Sequence, residues 1–79
     1  MKTYNVKNTK TQELKEMNKV EVMSFLLNGN YSFLNGLEGN KAYNALNNYE
    51  RNIYCKLDSL YSGFLVFSDF EITVKFYTF

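Results

Sequence analysis

Only one side chain in this protein is a strong nucleophile: Cys55, the single cysteine of 79 residues that include no histidine. A thiol attacks as its thiolate, and a neighbouring base or cation is what brings it to that state. The available groups here reduce to lysines and carboxylates, and none stands at a telling spacing from Cys55, so the residue reads as a small buried or half-buried thiol. A serine driven by a carboxylate is marked by no motif either. Of the eight acidic residues only Asp58, Asp69 and Glu71 fall in the last third, which leaves no concentration of paired carboxylates for hydrolysis or metal-assisted chemistry. Without histidine the usual zinc ligand sets cannot be assembled, and one cysteine excludes an intramolecular disulfide. The glycine-rich stretch from Asn28 to Gly39 lacks both the Gly-Lys-Ser/Thr ending and the preceding apolar strand of a phosphate-binding loop. The expectation is a protein with no catalytic residues, cofactor or metal.

What the chain holds in excess is aromatic surface. Seven tyrosines and seven phenylalanines make up 18% of it, and each can bury about 150–250 Å². Seven of them are candidates for contact with a partner: Tyr31 and Phe33 in a glycine-punctuated loop, Tyr49, Tyr54 and Tyr61 along a helix, and Tyr77 and Phe79 at the end of the last strand. Tyrosine suits such a role because it combines large contact area with modest ordering cost. The formal charge of +1 argues against a polyanion-binding field, and five lysines against three glutamates in the first 21 residues are too weak a bias to change that. A protein partner is therefore expected ahead of single-stranded nucleic acid, whose bases an aromatic sheet face could stack.

The elements that must position these residues begin at the C-terminus. Phe64-Leu65-Val66-Phe67, then Ser68-Asp69, then Phe70 to Phe79 reads as a hairpin with a two-residue loop. Phe67 should face Phe70, Leu65 should face Ile72, and Gly63 should face Val74 on a core-forming side. Phe76 is expected on that side too, and Phe64, Val66, Tyr77 and Phe79 on the other, where a second cover is needed: the N-terminal hairpin, a second copy, or a target protein. A first hairpin is expected from Thr3–Lys7 and Gln12–Glu16, with an odd loop that sets Val6 opposite Leu14. Asn18 with Glu21 is a capping box, and Met17 with Val22 a hydrophobic staple, so a helix should start at Lys19. Its Val22/Phe25/Leu26 stripe should pack on the sheet, and Gly29 should end it in the left-handed conformation. A loop with one helical turn follows. A longer helix is expected from Asn40, with Tyr43, Leu46, Tyr49, Ile53, Leu57 and Leu60 on one stripe.

The chain thus reads as one α+β domain over residues 1–79, a small antiparallel sheet from two terminal β-hairpins packed against two central helices. No N-terminal run resembles a signal peptide, and no apolar stretch approaches the roughly 20 residues that span a bilayer, so a cytoplasmic location without membrane contact is expected. Eleven asparagines and eight lysines against one arginine point to an AT-rich genome. The Tyr4-Asn5-Val6-Lys7 hairpin followed by the capped Met17-Asn18-Lys19-Val20-Glu21 helix, in an Asn/Lys/Tyr-rich chain of this length, resembles small accessory proteins of phages and mobile elements from AT-rich Gram-positive bacteria, anti-CRISPR proteins among them. That resemblance implies a stoichiometric inhibitor in the bacterial host cell that occupies a surface of a host protein or ribonucleoprotein complex. A homodimer is a further expectation from the aromatic excess.

Overall fold

A computed structural model describes residues 2–37 and 39–77. Strands β1 (Lys2–Asn8) and β2 (Leu14–Asn18) lead into helix α1 (Lys19–Leu27). A 3-10 turn (Ser32–Leu34), helices α2 (Asn40–Asn44) and α3 (Asn48–Ser59), and strands β3 (Leu65–Phe67) and β4 (Phe70–Tyr77) follow. All strand pairs are antiparallel in a four-stranded sheet of order β2-β1-β4-β3. The expected α+β class holds, with one hairpin from each end of the chain and helices between them.

The terminal hairpin pairs as its sequence dictates, Phe67 with Phe70 and Leu65 with Ile72, around a Ser68-Asp69 turn in which Ser68 takes φ 55°. Pairing stops at Leu65, short of Gly63. Ile72 is buried, and Leu65, Phe67, Phe70 and Val74 pack against the core. Phe76 does not join them. The β1–β4 register shifts between Thr3 and Tyr4: Tyr4 pairs with Val74 but Thr3 with Phe76, leaving Lys75 as the extra residue of a bulge. A bulge puts two residues of one strand against one of its partner, so the side-chain alternation slips by one. Phe76 comes to lie opposite Thr3, on the side away from the core, and is exposed.

In the first hairpin Val6 faces Lys15, and Leu14 faces Lys7. The loop between the bonded residues Asn8 and Glu13 has even length, residues 9 to 12, because the Asn8 Oδ1 accepts from both the Lys10 and Thr11 amides (2.9 and 3.1 Å) and Gln12 closes it at φ 65°. An even loop reverses the expected parity. Tyr4 therefore faces Met17 on the core side, and Leu14 turns outward.

Helix α1 has both halves of the capping box: the Glu21 amide donates to Asn18 Oδ1 (2.9 Å), and the Asn18 amide to Glu21 Oε1 (3.0 Å). It ends on Asn28 at φ 53° rather than on Gly29. Gly29 answers a different need, since a Cβ there would lie 3.0 Å from the Tyr31 ring. The buried residues of α1 are Val22 and Met23, while Phe25 lies at the margin with its ring edge-on to Phe70 at 4.8 Å.

The long helix expected from Asn40 is two helices. Asn47 forms a second capping box with Glu50, its Oδ1 accepting from the Glu50 amide (2.9 Å) while Glu50 Oε1 accepts from the Asn47 amide (2.8 Å). Helix α3 starts at Asn48 and buries Ile53, Tyr54 and Leu57, while Tyr49, one turn before Ile53 on the same stripe, sits in the first turn and is exposed. Cys55, expected to be buried or half-buried, is exposed on the same helix, its thiol 2.9 Å from the Tyr43 hydroxyl.

The helices cover one face of the sheet. Tyr4, Val6 and Ile72 from the strands meet Val22, Met23 and Leu57 from the helices in one continuous core. No buried side-chain nitrogen or oxygen among the described residues lacks a hydrogen-bond partner.

Candidate functional site

The helix layer leaves the second face of the sheet open. Side chains alternate across a strand, so with Tyr4 and Val6 turned to the core, Thr3, Asn5 and Lys7 point the other way. The register adds Leu14 and Glu16 from β2, Glu71 and Thr73 from β4, and Val66 from β3. The bulge adds Phe76. Leu14, Val66 and Phe76 are 58%, 67% and 60% exposed. One row runs straight across all four strands: Leu14 pairs with Lys7, Lys7 with Glu71, and Glu71 with Val66. Lys75, from the bulge, reaches over β1 to form an ion pair with Glu16. The face is neutral, with two lysines, two glutamates and apolar side chains along both edges and one end.

The aromatic candidates divide between this architecture and solvent. Tyr31 is buried, and its hydroxyl donates to Glu50 Oε2 at 2.5 Å. That bond pushes the Tyr31 phenol up to about 12 and, together with the Asn47 amide, holds the Glu50 carboxyl below its ordinary value. Phe33 stacks obliquely on Tyr31, with centroids 5.8 Å apart, and stays half exposed. Tyr54 is buried, its ring edge-on to Tyr43 at 5.4 Å and under the Lys19 ammonium at 4.4 Å. Tyr61 is exposed beneath the Lys2 ammonium, 3.6 Å from the ring centroid, and Tyr49 is exposed on the first turn of α3. Tyr77 closes β4, its backbone paired with Lys2, and Phe79 lies outside the described residues. Tyr31 and Tyr54 are thus taken into the helical layer, while Phe33, Tyr49 and Tyr61 are exposed.

Sequence reasoning missed Leu14 and Phe76, which the loop parity and the bulge turn outward. Met17 was a usable signal for the first. A staple residue must face the helix it staples, which commits the odd-numbered residues of β2 to the core side and Leu14 to the other.

The polar groups elsewhere are structural. Lys2 Nζ donates to the carbonyls of Leu57 (3.3 Å), Asp58 and Leu60 (2.7 Å), completing the C-terminus of α3 where cations are favoured. Burial pulls the Lys2 ammonium below its ordinary pKa. Burial also opposes the charge on Lys19, but hydrogen bonds to Asp58 (2.8 Å) and Tyr54 (3.3 Å) outweigh it and raise the pKa. A groove of about 410 Å³ beside α1 is lined by Asn18, Glu21, Ser24 and Asn30. Their oxygens are engaged in caps and turns: Ser24 Oγ accepts from the Tyr31 amide and Asn30 Oδ1 from Ser32. Among the described residues no three cysteine, aspartate or glutamate side chains gather to hold a metal ion, and no described helix is long and apolar enough to cross a membrane. No protein-family model matches this chain, and no curated protein or solved structure matches it.

Proposed function

We propose that this chain is a non-enzymatic protein-binding module that docks through the open face of its sheet, with Phe76, Val66 and Leu14 as apolar contacts and Lys7 and Glu71 between them. The observation that carries the reading is the row Leu14–Lys7–Glu71–Val66, with Phe76 beside it, on a face no described helix covers. Isolated exposed apolar residues are ordinary, whereas three on the one sheet face left uncovered favour a docking surface. Its balanced charges suit a protein surface better than a phosphate backbone, and among the side chains described on that face Phe76 is the one aromatic, too few for stacking successive bases. With a small size, a formal charge of only +1 and no nucleophile–base pair among the described residues, the mode of action we propose is stoichiometric: the chain occupies an assembly or conformational surface of a host protein or ribonucleoprotein complex. A CRISPR–Cas or other defence effector in a bacterial cytoplasm is the target class that the sequence resemblance suggests.

The test is capture from a bacterial lysate with the wild-type chain and two sets of variants. Val66→Lys or Phe76→Ser should lose the captured protein, and Phe33→Ala or Tyr49→Ala, both in the helical layer, should keep it. Recovery of nucleic acid with no stable protein partner, or capture that depends on Phe33 and Tyr49 but not on Val66 and Phe76, would overturn the reading.

A further inference from the structure

We infer that two copies of this chain close their open sheet faces on each other about a two-fold axis running parallel to the strands, between β1 and β4. The row across the sheet reads Leu14, Lys7, Glu71, Val66. A two-fold rotation about that axis exchanges the two edges, placing Leu14 over the second copy's Val66 and Lys7 over its Glu71, each twice. The row is self-complementary, as an isologous interface requires. The next row sets Asn5 over the second copy's Thr73, two groups that can hydrogen-bond, and the third sets Thr3 over its Phe76. Neither Lys7 nor Glu71 forms an ion pair among the described residues, whereas Lys10, Lys15, Lys19 and Lys75 each do. The perpendicular two-fold, running across the strands through Asn5 and Thr73, puts Lys7 over Thr3 and Glu71 over Phe76. It gives neither charge an opposite charge on the second copy, leaving only their cross-strand neighbour in the same chain, whereas the axis along the strands adds a second opposite charge to each.

Stacked sheets lie about 10 Å apart with strands within about 30° of parallel, close enough for these side chains to meet. Four strands about 4.8 Å apart and five residues of about 3.4 Å rise give a footprint of roughly 19 by 17 Å. That is well below the roughly 800 Å² per partner of a standard interface, at the weak and transient end of the range. The dimer is reversible and occupies the face that a target would take. It concerns the chain alone, so its measurement is made without any target, and its failure leaves the proposed partner binding untouched.

Sedimentation equilibrium of the purified full chain up to about 1 mM should show monomer and dimer in exchange. Leu14→Glu alone and Val66→Lys alone should each weaken association at least about tenfold. The two together should restore it, because the new charges meet only across the axis: positions 14 and 66 lie on opposite edges of one sheet, about 14 Å apart. Circular dichroism confirms that each variant is folded. If an edge variant does not fold, Lys7→Glu replaces it, weakening association by setting like charges across the axis, with Glu71→Lys restoring it. A strict monomer at the highest concentration, single variants that associate as the wild type does, or a double variant no better than the singles would each overturn the inference.

Discussion

The Tyr4 hydroxyl donates to the Leu57 carbonyl across 2.7 Å, joining the middle of β1 to the last turn of α3 between two side chains that are fully shielded from solvent. A ring in that position contributes by both burial and bonding. Tyr4→Phe should cost about 1 kcal/mol by removing the hydrogen bond alone. Tyr4→Ala should cost about 3–5 kcal/mol by emptying the centre of the core. Urea denaturation of the two variants checks both values, and a Tyr4→Phe variant as stable as the wild type would remove this link from the account.

The Tyr31–Glu50 bond ties stability to pH at both ends of the range. The Glu50 carboxyl is held below its ordinary 4.5, so the stability it contributes is present above that pH and is lost as pH falls through the lowered value. The Tyr31 phenol is raised from 10.0 to about 12, so its contribution is present below pH 10 and is lost between 10 and 12. Burial raises the Tyr4 phenol as well, which steepens the same alkaline loss. Tyr31→Phe should move the Glu50 titration back toward its ordinary value and flatten the acid limb. Carboxyl NMR of Glu50 between about pH 3 and 6 reads this directly.

Two asparagines set where helices begin. Asn18→Ala and Asn47→Ala each remove an N-cap and should each cost about 1 kcal/mol, with the glycine replacements costing only a few tenths. Asn44→Ala, at the exposed end of α2, serves as the control and should leave stability within about 0.5 kcal/mol. Thermal melts of the three variants distinguish capping from a general effect of losing asparagine.

Those two caps also show what the chain discloses before folding. Asn18 and Glu21 are followed by an apolar run, so the helix start stands out. Asn47 and Glu50 have the same spacing, but they sit inside a string of residues at helical intervals from Tyr43 to Leu60, and the longer period hid the shorter break. The terminal hairpin is legible because Ser68-Asp69 fixes its register locally. The first hairpin is not, because its loop length depends on the Asn8 side chain folding back on two amides. Phe76 was unreadable for a third reason: the Lys75 bulge is a relation between β4 and β1, and β4 alone carries a uniform alternation. The open face therefore follows from long-range pairing, and the aromatic candidates chosen by type alone include two, Tyr31 and Tyr54, that the core absorbs.

Phe76 and Val66 should be expendable for folding. Phe76→Ser and Val66→Lys should leave stability within about 0.5 kcal/mol, since both side chains already face solvent. Denaturation midpoints test this, and a loss of several kcal/mol would mean that the face is covered within the chain.

Footprinting of the captured complex by hydroxyl radicals, set against the dilute chain alone, reads whether the open sheet face is the surface that docks. Leu14, Val66 and Phe76 should be oxidised in the free chain and protected in the complex, while Phe33 and Tyr49 should be oxidised equally in both. Protection of Phe33 and Tyr49 with Leu14, Val66 and Phe76 unchanged would contradict it.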